Sequence, residues 1–213
     1  MLDAYRSAAV TRFHDACLQR PCWPRDVSQA LDLVPADAPG CDAWGWVLTN
    51  HRFNGSLWDE EDLARRTQAA DAEIAGNKRH IDRFNQQRND AMERIDDALL
   101  RLTAGLPRSP SARLSSETAG AMIDRLSILS LKIHHMGLQT TRTDVDDVHR
   151  QGARARREQL AVQRTDLAAC YDRLLDEVVA GSGYFKIYRQ FKMYNDPSMN
   201  PALVAERRRA RGA

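Results

Sequence analysis

Apolar residues recur along most of this chain with the spacing of α-helices. The helical pattern covers residues 2–19, a segment that begins near Asp42, and residues 62–103 and 144–180. Residues 118–136 are apolar nearly all round, which is typical of a helix surrounded by other helices. No stretch alternates convincingly with the period of a β-strand. The pattern therefore predicts an all-α bundle of five to six helices with the segment 118–136 at its centre.

Several small residues mark where helices are expected to begin, bend and end. Gly55 is expected to bend or break the second helix. Ser115 and Ser116 are candidate caps for the central helix. Gly181 and Gly183 are expected to end the last long helix, because glycine is the preferred residue just beyond a helix C-terminus.

Two of the predicted long helices resemble each other in sequence. A shift of 76 residues aligns residues 87–105 with 163–181, and seven of the 19 aligned positions are identical. Arg88 is aligned with Arg164. The match indicates either an internal duplication or two helices of similar composition. A duplication would make the two helices face each other, with one arginine from each at the same depth.

The chain has 213 residues, enough for one domain with a sizeable core. We assign residues 1–203 to a single helical domain and 204–213 to a disordered basic tail. From Ser182 onward seven Lys/Arg oppose two Asp/Glu, a local charge of +5, so the remainder carries −3 of the total +2. An acidic body with a basic end favours a local anionic partner over a broad nucleic-acid surface.

The sequence gives no sign of secretion, membrane insertion or metal binding. None of the four cysteines forms a CxxC pair, no signal peptide precedes them, and no apolar run is long enough to cross a membrane. We therefore expect a reduced, cytoplasmic protein. His134 and His135 are adjacent, so they point in different directions on a helix and do not form a ligand pair. No nucleotide-binding or hydrolase motif is present, and we expect neither metal nor cofactor.

Polar side chains occupy positions that the helical pattern assigns to the core. On the long helix 62–103 they are Lys78, Asp82, Asn85, Arg88 and Asn89, and elsewhere they are Asp124, Arg125, Lys132 and Arg164. A buried guanidinium is costly unless it is paired or binds an anion. Two interpretations of Arg88 and Arg164 stay open. They either form salt bridges, with Asp62, Asp82 or Asp124 as candidate partners, or line an internal pocket for sulfate, phosphate or carboxylate.

Trp58 and Asp62 lie one helical turn apart, so an aromatic wall can stand beside a carboxylate. A carboxylate shielded from water in this way suits a general base. Asp62 also closes the acidic run 59–62, and it can equally be a solvated helix residue.

The segment 184–194 alternates aromatic and basic residues. Such a segment can stack bases and hold phosphates, or it can pack its rings on the bundle and leave its cations in water. We favour packing, and the acidic body argues against nucleic-acid binding.

Four blocks of the chain, LWDEEDLARR, NKRHIDRFNQQRNDAMERID, SETAGAMIDRLSILSLKIHHM and YRQFKMYNDPSMNP, together resemble a bacterial family of helical proteins. That family is catalogued as a domain of unknown function and is often found beside glycosyltransferases. The resemblance covers about residues 45–201. One function that it implies is that of a non-catalytic accessory protein in a glycosyltransferase or polysaccharide pathway.

Within this family the chain also resembles enzymes that form aziridine rings in antibiotic biosynthesis of the azinomycin type. The resemblance implies an amino-acid substrate that is tethered to an acidic carrier protein and bears a sulfate ester, which the substrate's own amine displaces. Asp62 or Asp82 would then act as the base. Arg88, Arg125, Lys132 or Arg164 would hold the leaving sulfate, and the basic C-terminal segment would dock the carrier. A helical protein of this size can also pair as a homodimer.

Overall fold

The computed structural model describes residues 2–35, 41–189 and 196–211, which form an all-α bundle. The helices are α1 (Ser7–Cys17), α2 (Cys41–Ala64), α3 (Asp71–Thr103), α4 (Ala119–Thr140), α5 (Asp147–Val179) and α6 (Pro201–Arg211). Short 3₁₀ helices cover Asp3–Tyr5 and Ser28–Leu33. Two-residue strands, β1 (Arg113–Leu114) and β2 (Gly183–Tyr184), pair in parallel and connect the α3–α4 loop to the end of α5.

The bundle is built from two helical hairpins, one of α2 and α3 and the other of α4 and α5. Helix α4 packs against α1, α2, α3 and α5, so it lies at the centre as predicted. Its apolar sequence explains this position, because Ile123 and Leu126 are completely buried. Helices α3 and α5 both flank α4 and, among the described residues, do not pack extensively on each other. The expectation that the two long helices face each other is therefore wrong.

The helix bounds repeat with the shift found in the sequence. Helices α3 and α5 have 33 residues each, and both ends of α5 lie 76 residues beyond those of α3. The last residues of α2 and α4, Ala64 and Thr140, are separated by the same 76 residues. This agreement in length and register supports an internal duplication of one helical hairpin.

Helix α1 covers one end of the core. Phe13 and Tyr5 pack on Trp44 of α2, with ring centroids 5.2 and 5.6 Å apart. The Ser7 hydroxyl donates to Asp172 of α5 at 2.6 Å, and Asp172 also accepts the backbone N–H of Ser7 at 2.8 Å. The Tyr171 hydroxyl donates to the Tyr5 carbonyl at 2.8 Å. These bonds attach the N-terminal segment to α5.

The boundary between the second and third helices differs from the expected one. Helix α2 continues to Ala64, a turn follows, and α3 begins only at Asp71, so the predicted helix 62–103 belongs to two elements. Helix α2 also runs through Gly55 without a break. A Cβ atom at Gly55 would lie 3.0 Å from the Cβ of Pro24, so close approach of the 21–25 loop accounts for the glycine.

Local hydrogen bonds and backbone conformation explain where α4 begins and where α5 ends. The cap of α4 is Thr118, whose hydroxyl accepts the N–H of Ala121 at 3.1 Å, and the expectation of a Ser115 or Ser116 cap is wrong. Gly181 ends α5 as predicted: its φ is +70°, and a Cβ there would lie 2.2 Å from the carbonyl oxygen of Pro107.

The C-terminal region differs from the expected disordered tail at 204–213. Residues Pro201–Arg211 form α6, so the expected boundary after residue 203 falls inside a helix. Proline at the first position, the Asn200 side chain accepting the N–H of Ala202 at 3.0 Å, and a run of alanine and arginine all favour this helix. Residues 212 and 213 lie outside the described residues.

In the ranges that the structure describes, no helix is both long enough and apolar enough to cross a bilayer. Cys17, Cys22 and Cys170 are free thiols. Burial raises the pKa of the Cys17 thiol to about 12, so it stays protonated.

Candidate functional site

A cavity of about 450 Å³ opens between α2, α3 and α4. We call it the Arg88 cavity. Five residues that the sequence predicted for the site line it, namely Trp58, Asp62, Asn85, Arg88 and Lys132. The other lining residues are Asn54, Leu57, Glu61, Arg65, Ile128 and Leu131. Most of the lining residues that the sequence analysis missed lie three or four positions apart along α2, on the same face as Trp58 and Asp62. This spacing is the signal that could have identified them.

Trp58 forms one wall of the Arg88 cavity. Its indole stacks on the imidazole of His135 from α4, with ring centroids 4.2 Å apart and planes 7° from parallel. Burial, followed by the charge of His134, lowers the pKa of His135, which favours a neutral ring behind the indole. The rings of His134 and His135 are nearly perpendicular, as expected for adjacent helix residues.

Among the described residues, neither the Lys132 ammonium nor the Asp62 carboxylate forms an ion pair or a side-chain hydrogen bond. Arg65 and Glu61 differ, because they pair with each other at 3.0 Å along α2. Within the part of the chain that the structure describes, the cavity therefore presents an ammonium and a carboxylate that form no ion pair.

Arg88 is held beside a buried carboxylate but is only partly satisfied. Its Nε lies 3.9 Å from Asp124 Oδ1 and is buried without a hydrogen-bond partner among the described residues. Its Nη2 donates to the Asn89 side chain at 3.3 Å. Asp124 is thus the carboxylate partner that the salt-bridge interpretation allowed, although the guanidinium keeps unused donors.

A buried polar network lies beneath Arg88. The side-chain amides of Asn50 and Asn54 donate to Asp124 Oδ1 at 2.8 and 2.9 Å. Ser127 accepts a further bond from Asn54 at 3.0 Å, and its hydroxyl contacts His51 Nδ1 at 2.7 Å. These bonds stabilise a buried carboxylate and fix its position. Asp124 and Asn89 therefore position Arg88 and do not line the cavity themselves.

The remaining predicted site residues lie elsewhere. Lys78 and Asp82 pair with each other at 2.5 Å on the exposed face of α3, because residue 82 turns away from the buried Ile81. The structure therefore places the candidate base Asp82 outside the cavity. Arg125 pairs with Glu117 at 2.6 Å near the N-terminus of α4.

Arg164 lies in a separate cavity. It donates to Asp15 at 2.7 Å and to Ser130 at 3.2 Å, and Asp15 was not among its candidate partners.

A second cavity of about 630 Å³ adjoins the Arg88 cavity. Both are lined by Ile128 and Lys132 of α4, and the second continues toward α5, where Gln163 and Cys170 line it. The two cavities therefore meet over the face of α4 that lies between α3 and α5.

The donor set of the site suits an organic ion better than a metal. Across the described ranges, no group of three or more His, Cys, Asp or Glu residues could hold a metal ion. A guanidinium and an ammonium can bind an oxyanion, and a free carboxylate can bind or deprotonate an amine. The fold and site together define a helical-bundle protein with a polar cavity beside its central helix.

Comparison with known sequences places the chain in a family. A family model described as "Protein of unknown function (DUF4254)" matches residues 44–187. The chain belongs to this family, and the matched residues overlap most of the range, about 45–201, over which its sequence resembles a helical family of unknown function. No curated protein and no solved structure matches the chain significantly.

Proposed function

We propose that the Arg88 cavity is the active site of an enzyme that closes an aziridine ring by displacing sulfate within a carrier-tethered amino acid. One observation carries the proposal: Lys132, Arg88 and Asp62 line the same cavity, and all three keep unused binding capacity. A substrate with an anionic group and an amine matches both signs of charge.

The proposed step needs only an acid–base group and cations. The nitrogen lone pair of the amine attacks the carbon that bears the sulfate ester. The C–N bond forms, the C–O bond breaks, and sulfate leaves with the electron pair of that bond. The Asp62 carboxylate takes the proton lost from nitrogen. Nothing is oxidised or reduced, so the reaction requires no cofactor.

Lys132 and Arg88 would bind the sulfate group as its negative charge grows during bond cleavage. Cations that are already in place stabilise this charge without reorganising in the transition state. The Trp58 wall would exclude water from one side and hold the amine close to the reacting carbon. The adjoining cavity beyond Ile128 and Lys132 gives the tether a path away from the reacting groups.

The C-terminal helix is the proposed docking surface for an acidic carrier protein. Arg207, Arg208 and Arg209 of α6 are exposed, and a basic surface accelerates association with an acidic partner. Arg189 is not available for this role, because it already binds Glu93 at 2.8 Å and Asp97 at 3.1 Å.

Two substitutions in the cavity test the proposal. Lys132→Met should weaken inorganic sulfate binding about tenfold, since it removes a cation that forms no ion pair with any described residue. Asp62→Asn should lower the rate of sulfate release from a carrier-linked, sulfated amino acid by about 100-fold or more, while sulfate binding persists. Sulfate binding is measured by calorimetry, and turnover by the sulfate released.

Arg79→Met is the matched control, because Arg79 is an exposed cation on α3 outside the cavity. It should leave both measurements unchanged. Wild-type protein that neither binds sulfate nor releases it from the carrier-linked substrate would overturn the enzyme proposal.

The exposed arginines of α6 also favour a second candidate, a non-catalytic accessory protein in a glycosyltransferase pathway. That protein would co-purify stably with a transferase and would show no turnover alone. The predicted homodimer stays a prediction for either function, and light scattering of the purified chain tests it.

A further inference from the structure

A cavity of about 440 Å³ lies between α1, α4 and α5. We call it the Arg164 cavity. The 76-residue shift that relates the two hairpins also relates this cavity to the Arg88 cavity. Six residues that line the Arg88 cavity have their shifted counterparts in the lining of the Arg164 cavity: Leu57 and Ile133, Trp58 and His134, Glu61 and Gly137, Asp62 and Leu138, Arg65 and Thr141, Arg88 and Arg164.

The match extends to the residue beside each arginine. Asn54 of the Arg88 cavity corresponds to Ser130 after the shift, and Ser130 accepts a hydrogen bond from Arg164 at 3.2 Å. The two cavities are therefore related positions in the two copies of one hairpin. Each copy places an arginine from its long helix against the C-terminal half of its shorter helix.

The two copies differ in what their arginines bind. In the Arg88 cavity, Asp124 Oδ1 is 3.9 Å from Nε, and that nitrogen has no hydrogen-bond partner in the described ranges. In the Arg164 cavity, Asp15 of α1 accepts a hydrogen bond from Nη1 at 2.7 Å. Asp15 comes from α1, which lies outside both hairpins, and it binds its arginine directly, whereas Asp124 stays 3.9 Å from Arg88.

We propose that the Arg164 cavity is a second oxyanion site, closed by the Asp15 carboxylate. Asp15 occupies the position of an anionic ligand of Arg164. Sulfate would occupy the corresponding position beside Arg88 in the proposed function, and this inference rests on that function. The loss of both acidic residues in the second copy, where Gly137 and Leu138 replace Glu61 and Asp62, leaves it able to bind an anion but without a base.

The surroundings of Asp15 support an anion at this position. Arg157 also lines the cavity, and its guanidinium lies beside Gly137, so two cations remain when Asp15 is removed. The Asp15 side chain is 47% exposed, which gives a small ligand access from solvent. Sulfate and phosphate share the charge and the oxygen geometry that a guanidinium binds.

The test is an Asp15→Ala substitution with selenate as the probe, because selenate mimics sulfate and its selenium can be located by anomalous diffraction. The wild type should bind one selenate, at Arg88. Asp15→Ala should bind a second at Arg164, which doubles the number of sites in calorimetry, and the double variant Asp15→Ala/Arg164→Met should lose it.

Asp42→Ala is the matched control. It frees Arg101 from a 2.5 Å ion pair outside the cavities, just as Asp15→Ala frees Arg164. It should create no selenate site. A folded Asp15→Ala variant without selenate at Arg164, or a wild type that binds selenate there with Asp15 in place, would overturn the inference.

The result also separates this inference from the proposed function. Selenate at Arg164 in Asp15→Ala but none at Arg88 in the wild type would contradict the enzyme proposal alone. Selenate at Arg88 only, in both proteins, would contradict the second site alone.

Discussion

The imidazole of His14 is completely buried, and neither of its ring nitrogens has a hydrogen-bond partner among the described residues. It packs against the rings of His51 and Phe13. Burial, followed by the charges of His51 and Arg164, lowers the pKa of His14 well below its usual value of 6.5. His51 is shifted in the same direction, to about 3, again because of burial. Both rings are neutral in the folded protein at neutral pH.

This burial makes stability sensitive to acid. The unfolded chain takes up a proton at each histidine as the pH falls below about 6.5, whereas the folded protein does not, so the free energy of unfolding decreases. His14→Leu removes one of the histidines that take up a proton when the chain unfolds. We expect the variant to keep about 1 kcal/mol more of its stability than wild type when the pH falls from about 7.5 to about 5.5.

Urea unfolding of both proteins at the two pH values measures the difference. Asp96, whose pKa burial raises to about 6, affects both proteins equally and cancels. The bonds of His51 also persist, because it contacts the backbone carbonyl of His14 and not the ring. Equal acid sensitivity in the two proteins would contradict the assignment.

Residue spacing singled out five residues that line the Arg88 cavity, because most of the cavity lining comes from regular steps along single helices. Trp58 and Asp62 share a face of α2, and Asn85 and Arg88 share a face of α3. Spacing could not assign Arg164, whose partner Asp15 comes from a helix 149 residues away in sequence. Spacing also assigned Asp82 to the site although it lies outside the cavity. An exposed ion pair between Lys78 and Asp82 has the same i, i+4 spacing as residues on a buried helix face.

At the scale of elements, α3 and α4 approach each other closely where α4 begins. The backbone N–H of Gly120 donates to the buried carboxylate of Asp96 on α3 at 2.6 Å. A Cβ at Gly120 would lie 2.4 Å from the carbonyl oxygen of Met92 and 2.9 Å from the Asp96 side chain. Only a residue without a side chain allows α3 and α4 to approach this closely.

Gly120→Ala should therefore destabilise the protein by about 2–4 kcal/mol, because backbone atoms of α3 must move to admit the methyl group. Thermal and urea unfolding measure the loss. Gly76→Ala on α3 is the control: a Cβ there meets nothing within 4 Å, and the change should stabilise the helix by up to about 1 kcal/mol. If the two variants are equally stable, the helices do not meet as described.

The helical pattern predicted the five helices α1 to α5, but it missed α6 and placed some boundaries wrongly. The turn between α2 and α3 contains neither glycine nor proline, so no local signal separated the two helices. Likewise, β1 and β2 pair only because two distant segments meet in the folded protein. Strands of two residues are too short to show a recognisable pattern in the sequence.

At the scale of the whole molecule, the N-terminal segment holds the two hairpins together. It packs on Trp44 of the first hairpin and bonds to Asp172 and Tyr171 of the second. The Asp172 carboxylate accepts two hydrogen bonds from Ser7, one from its backbone and one from its hydroxyl. Together with the pair of Asp15 and Arg164, this carboxylate links α1 to α5 through polar contacts.

Asp172→Ala should loosen α1 without unfolding the hairpins. Loss of both bonds leaves donors of Ser7 unpaired, which costs about 1–3 kcal/mol. Hydrogen exchange should accelerate in residues 7–17 and change little in α4. Asp166→Ala, on the same helix, is the control, because Asp166 is exposed and, among the described residues, forms no side-chain hydrogen bond or ion pair with α1. Uniform acceleration throughout the bundle would show that α1 does not unfold separately.

The attachment of α1 to α5 also sets an order of events during translation. Asp172 follows Ser7 by 165 residues, so α1 leaves the ribosome long before its polar partner exists. At about 5–20 residues per second, this delay lasts roughly ten seconds or more. The first hairpin can close in that interval, because its contacts lie close together in sequence. Helix α1 can thus pack on Trp44 early, but it gains its hydrogen bonds to α5 only when both hairpins have been synthesised.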